Sequence, residues 1–210
     1  MTARASDGRV PGRRGQATRQ RLLECTLAML DTASYRDLKV VDIAREAGTS
    51  PATFYQYFTD VDAAIAELAG DMAADGATRL GGLLEGTRWS GEEAEASVRM
   101  LVTGFLDFWD ANRPLMRVID LKAAEGEGRI RSTRKDLLAG FSNGLAECVQ
   151  RKSLPDAPAN PWAMASVAVT MLVNVAIQRE IFAASEIPDE DMIDAVALLL
   201  LAAVTGTTTG

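Results

Sequence analysis

With 210 residues the chain is long enough for one globular unit, or for a domain of about 50 residues joined to a larger one. It is 48% hydrophobic and 24% charged, which argues against a disordered or fibrous protein and predicts a packed core. It contains no histidine, the commonest general base and the commonest zinc ligand, so neither an enzyme nor a metal or other cofactor is expected. The net charge of −7 is unevenly placed: residues 1–60 carry nine Lys/Arg against seven Asp/Glu, leaving 13 against 22 for the remainder.

The segment from Thr2 to Gln20 is polar throughout and lacks the apolar stretch of a secretory leader, so a cytoplasmic location is expected. Residues 1–15 hold Arg4, Arg9, Arg13 and Arg14 among glycines without hydrophobic periodicity, which predicts a disordered basic arm able to lie along phosphates. From Gln16 to about Ala33, the residues Leu22, Leu23, Thr26, Leu27 and Leu30 recur at helical spacing. A short helix is predicted over 39–47, with Val40, Ile43, Ala44 and Ala47 on one face and Gly48 as its stop. Another follows at once, with Ser50 as its cap and Pro51 in its first position, continuing through Ala52 to Tyr57.

Gly48 permits a left-handed turn between these two helices, and Ile43, Ala47, Phe54 and Phe58 can form the small core that fixes their angle. Thr53, Tyr55 and Tyr57 then project outward with hydroxyls suited to phosphates or base edges. Pro51, Ala52 and Gln56 are placed to face bases, since an amide can pair with adenine and small side chains can touch thymine methyls. An ordinary helical hairpin with an aromatic core would share much of this pattern. The run Val40 to Phe58, however, resembles the helix-turn-helix of the TetR family in its Asp-Ile-Ala, its Ala-Gly-x-Ser turn and its Thr-Phe-Tyr-x-Tyr-Phe ending, with Tyr35 six residues before Val41.

The resemblance covers roughly residues 18–66 and implies an all-α protein. In it, a three-helix DNA-binding domain over 16–60 precedes a helical effector-binding and dimerisation domain over 61–210. It also implies DNA contacts from Arg13, Arg14, Lys39, Thr49, Ser50, Pro51, Ala52, Thr53, Tyr55, Gln56 and Tyr57. The expected function is a ligand-responsive regulator, a repressor, that binds a palindromic operator as a homodimer and is released by a small, mostly apolar effector. Two departures from the family pattern stand out. Ala52 replaces a common glycine, and Asp60-Val61-Asp62 stands where a lysine is common, which puts one phosphate contact in doubt.

Beyond residue 60, helices are predicted over 61–86, 90–112, 115–124, 128–152, 161–185 and 189–204, with no strand. Breaks are expected at Gly81-Gly82, Gly91, Asn112-Arg113-Pro114, Gly126 to Gly128, the Leu154 to Pro161 loop and Pro188. The uncharged stretch Pro161 to Gln178 is short of the roughly 20 apolar residues that span a bilayer, so it is read as a buried helix without membrane contact. In 161–185 one stripe holds Met164, Ala168, Met171, Leu172 and Val175, and another Val167, Thr170, Asn174, Ile177 and Ile181; Ala195 to Val204 carries no charge. Helices apolar on several faces need several partners, which predicts a homodimer through about 161–204.

The resemblance implies an effector pocket after residue 60, and the sequence offers Leu101, Phe105, Phe108, Trp109, Met116, Ile119, Phe141, Leu145 and Met171 as apolar lining, although such residues equally build a core. Asn174 is a lone amide among aliphatic residues that must bond either a ligand or the partner subunit. Its setting before Arg179 and Ile181-Phe182-Ala183 is similar to the ethionamide-type branch of the family, which implies a ligand contact. Two other readings stay open: a constitutive DNA-binding repressor without an effector, and a helical small-molecule-binding protein that keeps the helix-turn-helix as scaffold.

Overall fold

The computed structural model describes residues 12–126, 128–152 and 160–206; most of the basic arm and most of the Leu154 to Pro161 loop lie outside them. Among the described residues there are nine α-helices, one 3₁₀ turn and no strand. Helix α1 (Arg13–Thr32) begins three residues before the hydrophobic pattern does, on the backbone bond from Gln16 N–H to the Gly12 carbonyl at 2.9 Å. It buries Leu22, Leu23, Thr26 and Leu30, and the buried Thr26 hydroxyl is satisfied by donating to the Leu22 carbonyl at 2.8 Å. A 3₁₀ turn (Tyr35–Asp37) leads to α2 (Val40–Glu46) and α3 (Pro51–Tyr57). The Ser50 hydroxyl caps α3 by accepting from Thr53 N–H at 3.2 Å, and Pro51 occupies the first turn, where its missing N–H costs nothing.

Helix α4 (Val61–Glu85) runs unbroken through Gly81-Gly82, contrary to the expected interruption. The flanking Leu80 and Leu84 are buried, and that burial outweighs the roughly 1 kcal/mol that each glycine costs a helix. Helix α5 (Ala94–Ala111) starts later than the expected 90, because Gly91 turns the chain at φ 87°. Asn112 alone separates α5 from α6 (Arg113–Ala124), and its side-chain amide donates to the Phe108 carbonyl at 2.8 Å. Pro114 is thus accommodated in the first turn of α6 rather than terminating a helix. Three helices complete the chain: α7 (Gly128–Lys152), α8 (Pro161–Ala184), capped by Asn160, and α9 (Asp189–Thr205), ended by Gly206 at φ 70°.

These elements form two compact units. The first comprises the described residues through Met72 together with Arg113–Arg134. In it α1 packs on α2, α3 and α6 around Leu22, Leu23, Ile43, Phe54 and Ile65. The second comprises Ala73–Asn112 and the described residues from Lys135 onward, where α9 packs on both α5 and α8. A polar clamp ties these three helices: Arg179 of α8 pairs with Asp110 of α5 and with Asp189 at the start of α9. Within the single chain, helix α8 buries one of its apolar faces and not the other. It buries Ala165, Ala168, Val169, Leu172, Val173 and Ala176, but leaves Val167, 70% exposed, together with Ile177 and Ile181 facing outward. It is also long and apolar enough to cross a membrane, with 24 residues and a mean hydropathy of 1.4 over its best stretch.

Gly48 sits at φ 66°, so Gly48→Ala should lower unfolding stability by about 1 kcal/mol, whereas Gly82→Ala, in a helix where an added methyl meets nothing within 4 Å, should raise it by up to about 1 kcal/mol; urea unfolding distinguishes the two. The hydrogen bonds from Arg179 hold the Asp189 carboxyl below its ordinary range, the opposing effect of burial being smaller. A lowered folded-state pKa contributes stability above the ordinary carboxylate range that is lost as pH falls through the lowered value. The melting-temperature gap between the parent and Asp189→Asn should therefore be widest near neutrality and close on acidification.

Candidate functional site

The turn between α2 and α3 is built as its residue types require. Gly48 takes the left-handed conformation, and the next N–H, that of Thr49, reaches back to the Ala44 carbonyl at 2.8 Å. Ile43, Ala44, Ala47, Phe54 and Phe58 are all buried, and the Phe54 and Phe58 rings meet at 5.4 Å between centroids. The Arg19 guanidinium of α1 lies 5.2 Å over the Phe58 ring and pairs with Glu67 of α4, which anchors the end of α3 from both sides.

The faces left outward carry the residues named from the sequence. Ala52, Tyr55 and Gln56 are exposed on α3, Tyr55 at 53%, with Ser50 exposed at its start and Lys39 exposed before α2. Thr49, Pro51, Thr53 and Tyr57 are half-buried, and the Thr53 hydroxyl lies 3.0 Å from that of Ser50, within the cap. Arg13 and Arg14 are exposed on the first turn of α1. Helix α3 itself has no charged residue, so its outer face offers hydroxyls, one amide and a methyl.

The acidic pair at the start of α4 has internal partners. Asp60 accepts from Ala63 N–H at 2.7 Å, capping the helix. Asp62 accepts from the Tyr35 hydroxyl and from Lys122 of α6, the latter at 3.0 Å. Burial pushes the Asp62 carboxyl up, and the hydrogen bonds from Tyr35 and Lys122 more than reverse that, leaving it below its ordinary range. This cluster was missed in the sequence. The available signal was Lys122 itself, a charge in the same helical register as the buried Leu115, Val118 and Ile119.

Of the residues offered as pocket lining, the structure brings Leu101, Phe105, Phe108 and Trp109 of α5 and Phe141 and Leu145 of α7 together in the second unit, all buried. Phe105 lies 5.3 Å from Phe141 and stacks on Trp109 at 6.0 Å between ring centroids. A methyl at Gly104 would approach the Leu83 side chain to 2.8 Å, so this part of α5 is closely packed. Met116 and Ile119 are buried on α6, which belongs to the first unit, and Met171 is half-buried on α8. Asn174 is not brought to the aromatic cluster. It is exposed on the outward stripe of α8, between Thr170 and Ile177, and accepts a hydrogen bond from Gln178 one turn on.

Two family models match this chain. Residues 22–69 match "Bacterial regulatory proteins, tetR family", and residues 80–209 match "Tetracyclin repressor-like, C-terminal domain". The chain belongs to the TetR family. Solved structures agree in fold. A TetR-family transcriptional regulator from Streptomyces coelicolor superposes with a TM-score of 0.69 at 15% identity, covering 91% of this chain and 82% of its own. SmeT, the repressor of the Stenotrophomonas maltophilia multidrug efflux pump SmeDEF, gives 0.64 at 17% identity over 93% and 98% of the two chains. The fatty acid degradation regulator FadR from Bacillus halodurans gives 0.64 at 16% identity over 92% and 97%. The protein is therefore a TetR-family transcription regulator, with an N-terminal DNA-binding helix-turn-helix and a helical C-terminal domain, and not an enzyme.

Proposed function

We propose that this TetR-family protein is a homodimeric repressor that grips a near-palindromic operator and lets go when a small apolar effector enters its C-terminal domain. The observation that carries the reading is the outward apolar face of the second unit: Val167, Ile177 and Ile181 on α8, with Leu198 and Leu199 on α9. Apolar surface of that extent needs cover, and a second copy of the same face provides it around a two-fold axis. Two reading heads related by that axis demand two related half-sites. Asn174 lies within this face, which favours its interface role over the ligand role. The same cover accounts for the length and hydropathy of α8 without a membrane, in keeping with action in the cytoplasm.

In this reading residues 1–15, whose Arg13 and Arg14 lie on the first turn of α1, track phosphates, with 16–60 the reading domain and 61–210 the effector and dimerisation domain. Arg13, Arg14 and Lys39 meet phosphates, while Ala52, Tyr55 and Gln56 address base edges, with Thr49, Ser50, Pro51, Thr53 and Tyr57 bordering them. The effector chamber is assigned to the aromatic residues Phe105, Phe108, Trp109 and Phe141. Their close ring packing favours a second reading, a repressor without an effector, in which this cluster is simply core. Melting-temperature screening against apolar compounds separates the two, since a ligand bound only by the folded chain raises stability.

Two outcomes test the main reading. Tyr55→Ala should weaken binding to a duplex selected by the parent protein at least about tenfold, roughly 1.4 kcal/mol, with an unchanged melting temperature; equal affinity would remove α3 as the reading helix. The parent should sediment as a dimer at micromolar concentration and Leu199→Asp, at a position 56% exposed in the single chain, as a monomer. A monomeric parent would overturn the dimer.

A further inference from the structure

Lys122 is, among the described residues, the one charged side chain that is almost wholly buried, at 5% exposure. A buried ammonium is stable only where the site returns what water gave it, so its surroundings are informative. Here it receives the Asp62 carboxylate at 3.0 Å, and its nitrogen stands 4.6 Å from the centre of the Tyr35 ring, whose hydroxyl donates to the same Asp62. The three groups come from three elements: α6, the first turn of α4, and the 3₁₀ turn between α1 and α2. Nearby, Arg36 of that turn pairs with Glu125 just past α6 at 2.7 Å.

Apolar packing does not close this side of the unit. A cleft of about 300 Å³ opens between the end of α1 and α6, lined by Leu30, Tyr35, Pro114, Arg117, Val118 and Leu121. The far face of α6 has its own tie, for Asp120 pairs with Arg134 of α7 at 2.9 Å. Helix α6 is thus a strut held to the reading head at one set of side chains and to α7 at another. The head's share of that attachment combines the packing of α1 on α6, the exposed Arg36–Glu125 pair and one buried cation, Lys122.

We propose that Lys122 is a positioning residue that latches α6 to the DNA-reading head through Asp62 and Tyr35, so that α6 and the head move as one body. The latch rests on the assignment of α2 and α3 as the reading head. By linkage, if a shift of α6 alters the head, DNA held by the head must equally restrain α6, and this can be measured with no effector in hand. Asp62, in the first turn of α4, reaches inward to Lys122 and so serves the latch.

The test is hydrogen exchange on the full-length protein, free and bound to a duplex that the parent selects from a random library. In the parent the duplex should slow exchange both in residues 40–57 and in residues 117–124 of α6. In Lys122→Met, which keeps the stem and removes the charge, protection of 40–57 should persist and that of 117–124 should be lost; Lys122→Arg should retain both. A merely structural lysine would not separate the two segments. If Lys122→Met fails to fold, Asp62→Asn, at a side chain 47% exposed, carries the same expectation. Duplex protection of α6 that survives both substitutions, or that is absent in the parent while 40–57 is protected, overturns the latch. Failure of the duplex to protect 40–57 in the parent would overturn the reading-head assignment instead.

Discussion

Seven residues are too few for a helix to hold itself together in water, and α3 is seven residues long. Everything the protein does at DNA depends on that helix having one orientation, so the orientation must be imposed from outside. Phe54 and Phe58 impose it from beneath, by filling the space between Ile43 and Ala47, and Gly48 supplies the only sharp turn that brings those surfaces together. The Ser50 cap satisfies an N–H that a short helix would otherwise leave bare. Arg19, stacked on Phe58 and paired with Glu67, then ties the helix end to α1 and α4. The start and the end of α3 are thus held by different neighbours.

The second unit solves the opposite problem. Helices α8 and α9 each bury one apolar face, α8 with Leu172 and Val173 and α9 with Val196 and Leu200, and each presents another outward. The Arg179 clamp with Asp110 and Asp189 fixes the ends of these helices, so the outward faces form a defined surface and not a loose one. Hydrogen bonds to Asp189 raise the Arg179 pKa above its ordinary value and outweigh the opposing effect of burial. In the proposed dimer such a preformed surface loses little freedom on pairing.

The parts legible in the sequence are those governed by local rules. Helical periodicity, the Ser50-Pro51 start and the Gly48 stop place α2 and α3 almost to the residue, because caps and turns depend on neighbours in the chain. Gly81-Gly82 misleads for the same reason: the local rule favours a break, and the burial of Leu80 and Leu84 overrides it. Asn174 is legible as a polar residue on an apolar stripe, but the stripe's direction is a tertiary property, and it points away from the aromatic cluster. The partners of Lys122 lie 60 and 87 positions away, at Asp62 and Tyr35, and no periodicity connects residues so far apart. Only the anomaly of a charge at an apolar register position marked it.

Residues 1–60 carry nine basic against seven acidic side chains and the remainder 13 against 22, so in the proposed complex the field of a duplex favours the first segment over the rest. The acids that follow the reading helix, Asp60 and Asp62, are already engaged by the α4 backbone and by Lys122, which blunts the repulsion they would otherwise bring to phosphates. Helix α3 adds no charge of its own. In the proposed complex, attraction therefore comes from the flanking Arg13, Arg14 and Lys39 and discrimination from uncharged groups on α3. Salt should weaken the hold on all sequences alike, while the choice among them rests on hydroxyl, amide and methyl contacts that salt does not screen.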